Sequence, residues 1–128
     1  MYHLTALVTL LAIAFYFFTI MNVSRSRSKT GVKVPATSGH PDFERAFRIQ
    51  MNTLEWMPIF LPALWLFAVH ISDAIAAGIG AVWIIGRIVY FIGYSKAAAK
   101  RGPGFMIQGI AAIALWAGAL GAVVLRLV

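Results

Sequence analysis

The segment that decides the fold is FERAFRIQMNTLEWMPIFLPALWLFAVHI, residues 43–71. Its first half carries charged and amide side chains, and its second half is almost entirely apolar, with no break between them. A helix of about 29 residues is roughly 43 Å long, which exceeds the roughly 30 Å hydrocarbon core of a bilayer. We therefore expect a membrane helix whose polar first turns project from the bilayer, with Asp42 as its N-cap.

Three further apolar segments flank this one, from Leu4 to Val23, Ala74 to Gly93 and Phe105 to Val124. Each supplies the roughly 20 residues that cross a bilayer, and a helix satisfies its own backbone groups in lipid. The sequence predicts an all-α integral membrane protein with one domain over residues 1–128, folded as a bundle of four transmembrane helices. The expected helices cover approximately residues 3–25, 42–71, 74–100 and 103–126.

The composition agrees with membrane residence and excludes several kinds of site. Hydrophobic residues make up 61% of the chain and charged residues only 12%, whereas soluble domains carry about 25% charged residues. The net charge is +7, but the basic residues cluster at the ends of the apolar segments, which favours a topological role and no nucleic-acid partner. The absence of cysteine excludes a protein thiol nucleophile, and the three histidines lack the spacing of metal ligands.

Lysine and arginine concentrate in two of the three connections between the apolar segments. The first connection, with the start of the second helix, holds six of them, the third connection holds three, and the second holds none. The positive-inside rule then predicts that both basic connections face the cytoplasm and that the N-terminus lies outside. We expect a multi-pass protein of a bacterial inner membrane whose functional site faces the cytoplasm.

Two polar stripes mark the candidate site. Arg48, Asn52 and Glu55 fall within about 60° of one another on the second helix. The third helix, if it continues to Arg101, carries a similar stripe formed by Arg87, Tyr90, Tyr94 and Arg101.

The depth of Arg87 makes a partner necessary. It lies about 13 Å into the membrane at helical rise, and Glu55 is the expected partner. Donors outnumber acceptors in the two stripes together, which favours an anionic ligand held between the helices. The alternatives are a purely structural Arg87–Glu55 pair, Tyr90 and Tyr94 as interfacial aromatic residues, and Arg101 as a cation that only caps a helix end.

These residues also resemble a known family. The patterns are Phe43-Glu44-Arg45-x-x-Arg48-x-Gln50-x-Asn52-x-x-Glu55-x-x-Pro58 and Arg87-x-x-Tyr90-x-x-Gly93-Tyr94, with Arg101 seven residues on. They resemble the membrane-associated proteins in eicosanoid and glutathione metabolism, the MAPEG family, and in particular its microsomal glutathione transferases. The resemblance implies a four-helix protomer in a homotrimer, with glutathione as co-substrate bound between neighbouring subunits on the cytoplasmic side.

The resemblance also implies roles for individual residues. Six positions match glutathione contacts of the family: Arg48, Asn52, Glu55, Arg87, Tyr90 and Tyr94. Gln50 matches a contact made across the subunit interface, and Arg27 falls near a first-helix arginine that touches the ligand. Arg101 matches the arginine that stabilises the glutathione thiolate. The expected activity is transfer of glutathione to a lipophilic electrophile, and reduction of a hydroperoxide stays open.

Two departures and two rival functions bear on this expectation. Trp56 stands where leukotriene synthases carry tyrosine, and Ser28 stands where they carry a second arginine, which argues against leukotriene synthesis. A non-catalytic lipid-binding protein of the same family is one rival, although the retained Arg101 weighs against it. A small four-helix multidrug exporter is the other, but such exporters carry a glutamate in the first helix and this first segment has no acid.

Overall fold

Four long helices and one short 3₁₀ turn make up the computed structural model, which describes residues 1–128. All four long helices are long and apolar enough to cross a membrane, so the expected all-helical, four-span architecture is confirmed. The elements are α1 (His3–Thr30), α2 (Pro41–His70), α3 (Asp73–Lys96), the 3₁₀ turn (Ala98–Arg101) and α4 (Gly102–Leu127).

The start of α2 differs from the expectation. Its N-cap is His40, whose Nδ1 accepts a hydrogen bond from the backbone N–H of Asp42 at 3.1 Å. Pro41 occupies the first turn, where its missing N–H leaves no donor unsatisfied. Asp42 as N-cap is therefore wrong: its carboxylate lies inside the first turn, where it interacts favourably with the helix dipole.

Two other helix ends also differ. α1 continues to Thr30 and stops at Gly31, which adopts φ 77°, a left-handed conformation that glycine takes without steric cost. α3 ends at Lys96, so the expected continuation of this helix to Arg101 is wrong. The chain turns back at Ala97, and a Cβ added at Gly93 would overlap the carbonyl oxygen of Lys100.

The main core contains buried residues of all four helices, and aromatic stacking and close glycine contacts pack α3 against α2 and α4. Phe60 of α2 stacks on Trp83 of α3 with ring centroids 3.9 Å apart, and both side chains are fully buried. A Cβ added at Gly86 of α3 would lie 2.5 Å from the backbone nitrogen of Gln108 in α4. Small residues of this kind let membrane helices approach backbone to backbone.

At the end of the bundle opposite the two basic connections, hydrogen bonds join α1 to α3. The carboxylate of Asp73 accepts from the backbone N–H of Thr5 at 2.9 Å and of Leu4 at 3.3 Å. These are N–H groups of the first turn of α1, which have no partner within their own helix. Large apolar side chains cover the outer faces of all four helices, as expected of an integral, multi-pass membrane protein.

Candidate functional site

A groove with a volume of about 720 Å³ opens between α2, α3 and the start of α4. Five of the site residues predicted from the sequence line it: Arg48, Asn52, Tyr90, Tyr94 and Arg101. The remaining lining comes from the 3₁₀ turn and the first turns of α4: Ala99, Gly102, Phe105 and Met106. The lining contains two guanidinium groups and no carboxylate, so this groove is suited to an anion.

Arg87 lies under the groove and is fully buried. Its guanidinium donates to Asn52 Oδ1 at 2.8 Å and to Thr53 Oγ1 at 2.6 Å, and its Cζ lies 4.3 Å from the centre of the Tyr90 ring. The expected Arg87–Glu55 pair is wrong, because both oxygens that Arg87 contacts are neutral. The buried positive charge is left without an opposite charge beside it.

Glu55 instead faces Arg48, two helical turns earlier on α2. The closest nitrogen and oxygen are 3.8 Å apart, and about half of each side chain is exposed. An exposed pair at this distance stabilises the fold by less than about 1 kcal/mol, so both side chains are free to turn towards a ligand. Glu55 does not line the groove itself.

Arg101 reaches the groove from the 3₁₀ turn. Its side chain is exposed, and Nη1 donates to the carbonyl of Ala98 at 2.7 Å. α3 has already ended at Lys96, and Arg101 immediately precedes the first residue of α4. A cation at a helix N-terminus does not complement the helix dipole, so the alternative role of Arg101 as a cap for the end of α3 is wrong. Arg101 instead adds its charge to the positive end of α4 at the groove.

Arg27 and Gln50 lie outside the groove. Arg27 donates to the carbonyls of Ala36 at 2.9 Å and Val32 at 3.4 Å, and its Cζ lies 4.6 Å over the ring of Phe43. It therefore fixes the loop between α1 and α2. Gln50 is half-buried, and its side chain forms no hydrogen bond with the rest of the chain.

The sequence analysis missed two buried polar residues near the site. Thr53 accepts from Arg87 and donates to the carbonyl of Ile49 at 2.7 Å, so it fixes the guanidinium to α2. Gln108 of α4 is fully buried, and its Oε1 has no partner. An amide in an otherwise apolar membrane segment is itself a signal of function or packing, and that signal could have identified Gln108. Thr53 gives a weaker signal, because no other polar residue follows it on the same face of α2.

The groove continues towards an apolar surface. Phe105 lines the groove and meets Trp56 edge to face, with centroids 5.7 Å apart. Trp56 also lines a second, apolar groove of about 250 Å³ with Ile59, Ala112, Ile113 and Trp116. A charged groove and an apolar groove therefore meet at one pair of aromatic rings.

The MAPEG family model matches residues 5–121 of this chain, nearly its whole length. The chain belongs to the MAPEG family. It is 50% identical over 115 residues to an uncharacterized protein of Synechocystis sp., covering 90% of this chain and 84% of that protein. It is also 41% identical over 119 residues to microsomal glutathione S-transferase 2 of Homo sapiens, covering 92% and 81% of the two chains.

A further MAPEG relative is the leukotriene C4 synthase of Cavia porcellus. The identity is 39% over 98 residues, which covers 77% of this chain and 65% of that enzyme. The resemblance stated from the sequence patterns is thus confirmed at the level of the family.

Proposed function

We propose that this MAPEG protein is a membrane-bound glutathione transferase that forms the glutathione thiolate and adds it to lipophilic electrophiles. The observation that carries the proposal is the groove in which Arg48, Asn52, Tyr90, Tyr94 and Arg101 converge without a carboxylate. The relatives named glutathione S-transferase and leukotriene C4 synthase support glutathione as the co-substrate.

The contacts suggest how the tripeptide is held. Its carboxylates pair with Arg48 and with the unneutralised charge of Arg87, and its ammonium group binds Glu55. Asn52 uses its Oδ1 for Arg87, so its amide N–H₂ remains free to donate to the ligand. The two tyrosine hydroxyls supply further donors to the ligand's carboxylates or sulfur.

Thiolate formation is the role proposed for Arg101. A free thiol has a pKa of about 8.5, and a nearby cation lowers it. Arg101 remains protonated throughout, so it stabilises the thiolate without exchanging a proton. The sulfur then attacks the electrophilic carbon, an S–C bond forms, and the displaced electron pair leaves with the departing group or is protonated.

Lipophilic acceptors reach the sulfur from the apolar groove beside Trp56. A hydroperoxide in the same place would give an alcohol and glutathione sulfenic acid, and a second glutathione would convert the latter to the disulfide and water. Peroxidase activity is therefore proposed as a side reaction of the same thiolate.

The proposed assembly is a homotrimer in a bacterial inner membrane, with the groove on the cytoplasmic side. Arg27 and Gln50 lie away from their own groove, which supports their serving the groove of a neighbouring subunit. The short connections rich in lysine and arginine support the cytoplasmic orientation.

The proposal is tested on detergent-purified protein with glutathione and a chlorinated aromatic acceptor. We expect Arg101→Ala to lower turnover about tenfold to a hundredfold, corresponding to a thiol pKa shift of one to two units, while glutathione binding is retained. The activity of the variant should also rise at higher pH than that of the parent, because loss of the cation raises the thiol pKa.

Lys100→Ala is the matched control, since it removes a neighbouring cation of the 3₁₀ turn that does not line the groove. It should conjugate at the parent rate. Parent-like turnover of Arg101→Ala would exclude the role assigned to Arg101. If the parent protein neither bound glutathione nor conjugated it to the acceptor, the proposed transferase activity would be excluded.

A further inference from the structure

A second polar cavity lies at the same end of the bundle, between α1, α2 and the end of α3. We call it the polar cleft; its volume is about 490 Å³. Its lining comes from the last turns of α1, the first turns of α2 and the end of α3: Asn22, Arg25, Ser26, Lys29, Thr30, His40, Asp42, Arg45, Ala46 and Ser95. None of these residues lines the groove proposed for glutathione.

The charges of the polar cleft are unbalanced. Three cations, Arg25, Lys29 and Arg45, face a single carboxylate, that of Asp42. Asp42 is paired with Arg45, whereas Arg25 and Lys29 take part in no ion pair. The Nε of Arg45 is buried and donates to no acceptor. An unsatisfied buried donor is energetically unfavourable, so an acceptor on a bound ligand would stabilise the protein here.

The neutral side chains of the polar cleft add hydrogen-bond donors. The side chains of Asn22, Ser26 and Ser95 form no hydrogen bond with the protein. His40 accepts at Nδ1 from the N–H of Asp42, so the proton of its neutral ring lies on Nε2, which can donate. A compact group with several negatively charged oxygens satisfies this set of donors, and a phosphate group has that chemistry.

The hydropathy of α1 predicts that the polar cleft lies at the level of the membrane surface. It begins at Asn22, where the apolar segment of α1 ends, and continues to Thr30. We propose that the polar cleft binds the phosphate group of an anionic molecule, carried either by an anionic phospholipid headgroup or by a soluble phosphate monoester. This site is independent of the glutathione groove and does not depend on transferase activity.

Native mass spectrometry of the full-length protein in detergent tests the lipid source, with phosphatidylglycerol compared against phosphatidylcholine. Thermal unfolding in inorganic phosphate and in glycerol 1-phosphate, against chloride at equal ionic strength, tests the soluble source. Arg25→Gln combined with Lys29→Gln removes the two unpaired cations. Lys33→Gln combined with Lys100→Gln is the charge-matched control, because neither residue lines the polar cleft.

The cleft variant should bind phosphatidylglycerol at least about tenfold more weakly than the parent, and the control within about twofold. If the cleft variant loses phosphatidylglycerol binding but no stabilisation by a soluble phosphate, the site is assigned to a lipid headgroup. If it loses the stabilisation by glycerol 1-phosphate or inorganic phosphate, the site is assigned to a soluble phosphate. Equal losses in both double variants would show a diffuse surface charge and overturn the proposal. It would also be overturned if the parent preferred neither phosphatidylglycerol nor any phosphate.

Parent-like thermal unfolding of both double variants without ligand establishes that they fold, and both sets of side chains are exposed, so we expect this result. If the cleft double variant does not fold, Lys29→Gln alone is compared with Lys33→Gln by the same measurements.

Discussion

The charge of Arg87 is buried, yet only neutral oxygens hold it. Burial of a guanidinium costs several kcal/mol unless a partner and hydrogen bonds compensate it. Asn52 and Thr53 supply two hydrogen bonds, but the Nε of Arg87 has no acceptor. The residual positive potential lies directly below the groove, where an anionic ligand would supply the missing opposite charge.

Thr53 determines where this charge lies. Thr53→Val removes the acceptor 2.6 Å from Arg87 and keeps the side-chain shape, so a buried N–H loses its partner. We expect a loss of about 1–3 kcal/mol in the free energy of unfolding. Because the guanidinium is then less well placed under the groove, the KM for glutathione should rise severalfold with little change in kcat. Steady-state kinetics and thermal unfolding measure the two effects.

Thr53→Ser keeps the hydroxyl and serves as the control. It should retain the parent KM even if the lost methyl group lowers stability. A valine variant with the parent KM for glutathione would show that the Arg87–Thr53 hydrogen bond has no part in ligand binding.

The sequence predicted which side chains share a face of a helix, but not which side chains meet between helices. Arg48, Asn52 and Glu55 do form one stripe, and the first two line the groove. The rotation of α2 against α3 depends on packing, and it brings Asn52 and Thr53 to Arg87 while Glu55 remains half exposed. Periodicity along one helix contains no information on that rotation, so the prediction that Glu55 is the partner of Arg87 was wrong.

At the scale of elements, the long helices follow from hydropathy, whereas the 3₁₀ turn does not. Residues 97–100 read Ala-Ala-Ala-Lys, which has high helix propensity and predicts that α3 continues. The chain leaves the helix because Gly93 lets the carbonyl of Lys100 approach α3 closely. This tertiary contact overrides local propensity and places Arg101 at the groove.

The close contact of α3 and α4 sets the position of Tyr90. A Cβ added at Gly104 would overlap the backbone nitrogen of Tyr90, and neither backbone can move without separating the helices. We expect Gly104→Ala to lower the free energy of unfolding by about 1–3 kcal/mol and to weaken glutathione binding through displacement of Tyr90. Thermal unfolding and ligand titration measure the two effects.

Gly109→Ala is the control on the same helix, because nothing lies within 4 Å of a Cβ added there. Alanine has the higher helix propensity, so this variant should be as stable as the parent or slightly more stable. If both alanine variants unfolded alike, close packing at Gly104 would not be needed for the α3–α4 interface.

At the scale of the whole molecule, five of the 11 lysine and arginine residues line two separate cavities at one end of the bundle. The groove lies between α2, α3 and α4 and contains Arg48, whereas the polar cleft lies between α1, α2 and α3 and contains Arg45. Arg27 and Gln50 belong to neither. Gln50 therefore has no partner within the chain, and in the proposed homotrimer its partner would be the ligand of a neighbouring subunit.

Mixed assemblies test this assignment. Arg101→Ala subunits lack the groove cation but keep Gln50, and Gln50→Ala subunits lack the amide but keep Arg101. If each site combines the groove of one subunit with Gln50 of the next, a closed ring of three subunits that contains both variants has about a third of its sites complete. At low glutathione concentration, co-purified mixed protein should therefore turn over faster than the average of the two pure variants.

The mixed protein is obtained by co-expressing the two variants with different tags and purifying it through both tags. Light scattering in detergent gives the mass of the assembly and hence the number of subunits. Mixing parent subunits with Arg101→Ala subunits is the control, since their turnover should follow the parent fraction. A mixed protein that only averages its two components would place Gln50 in the site of its own protomer or outside any site. Because Gln50 forms no hydrogen bond within its protomer, its loss should leave the fold intact, and a gain on mixing would then report a shared site.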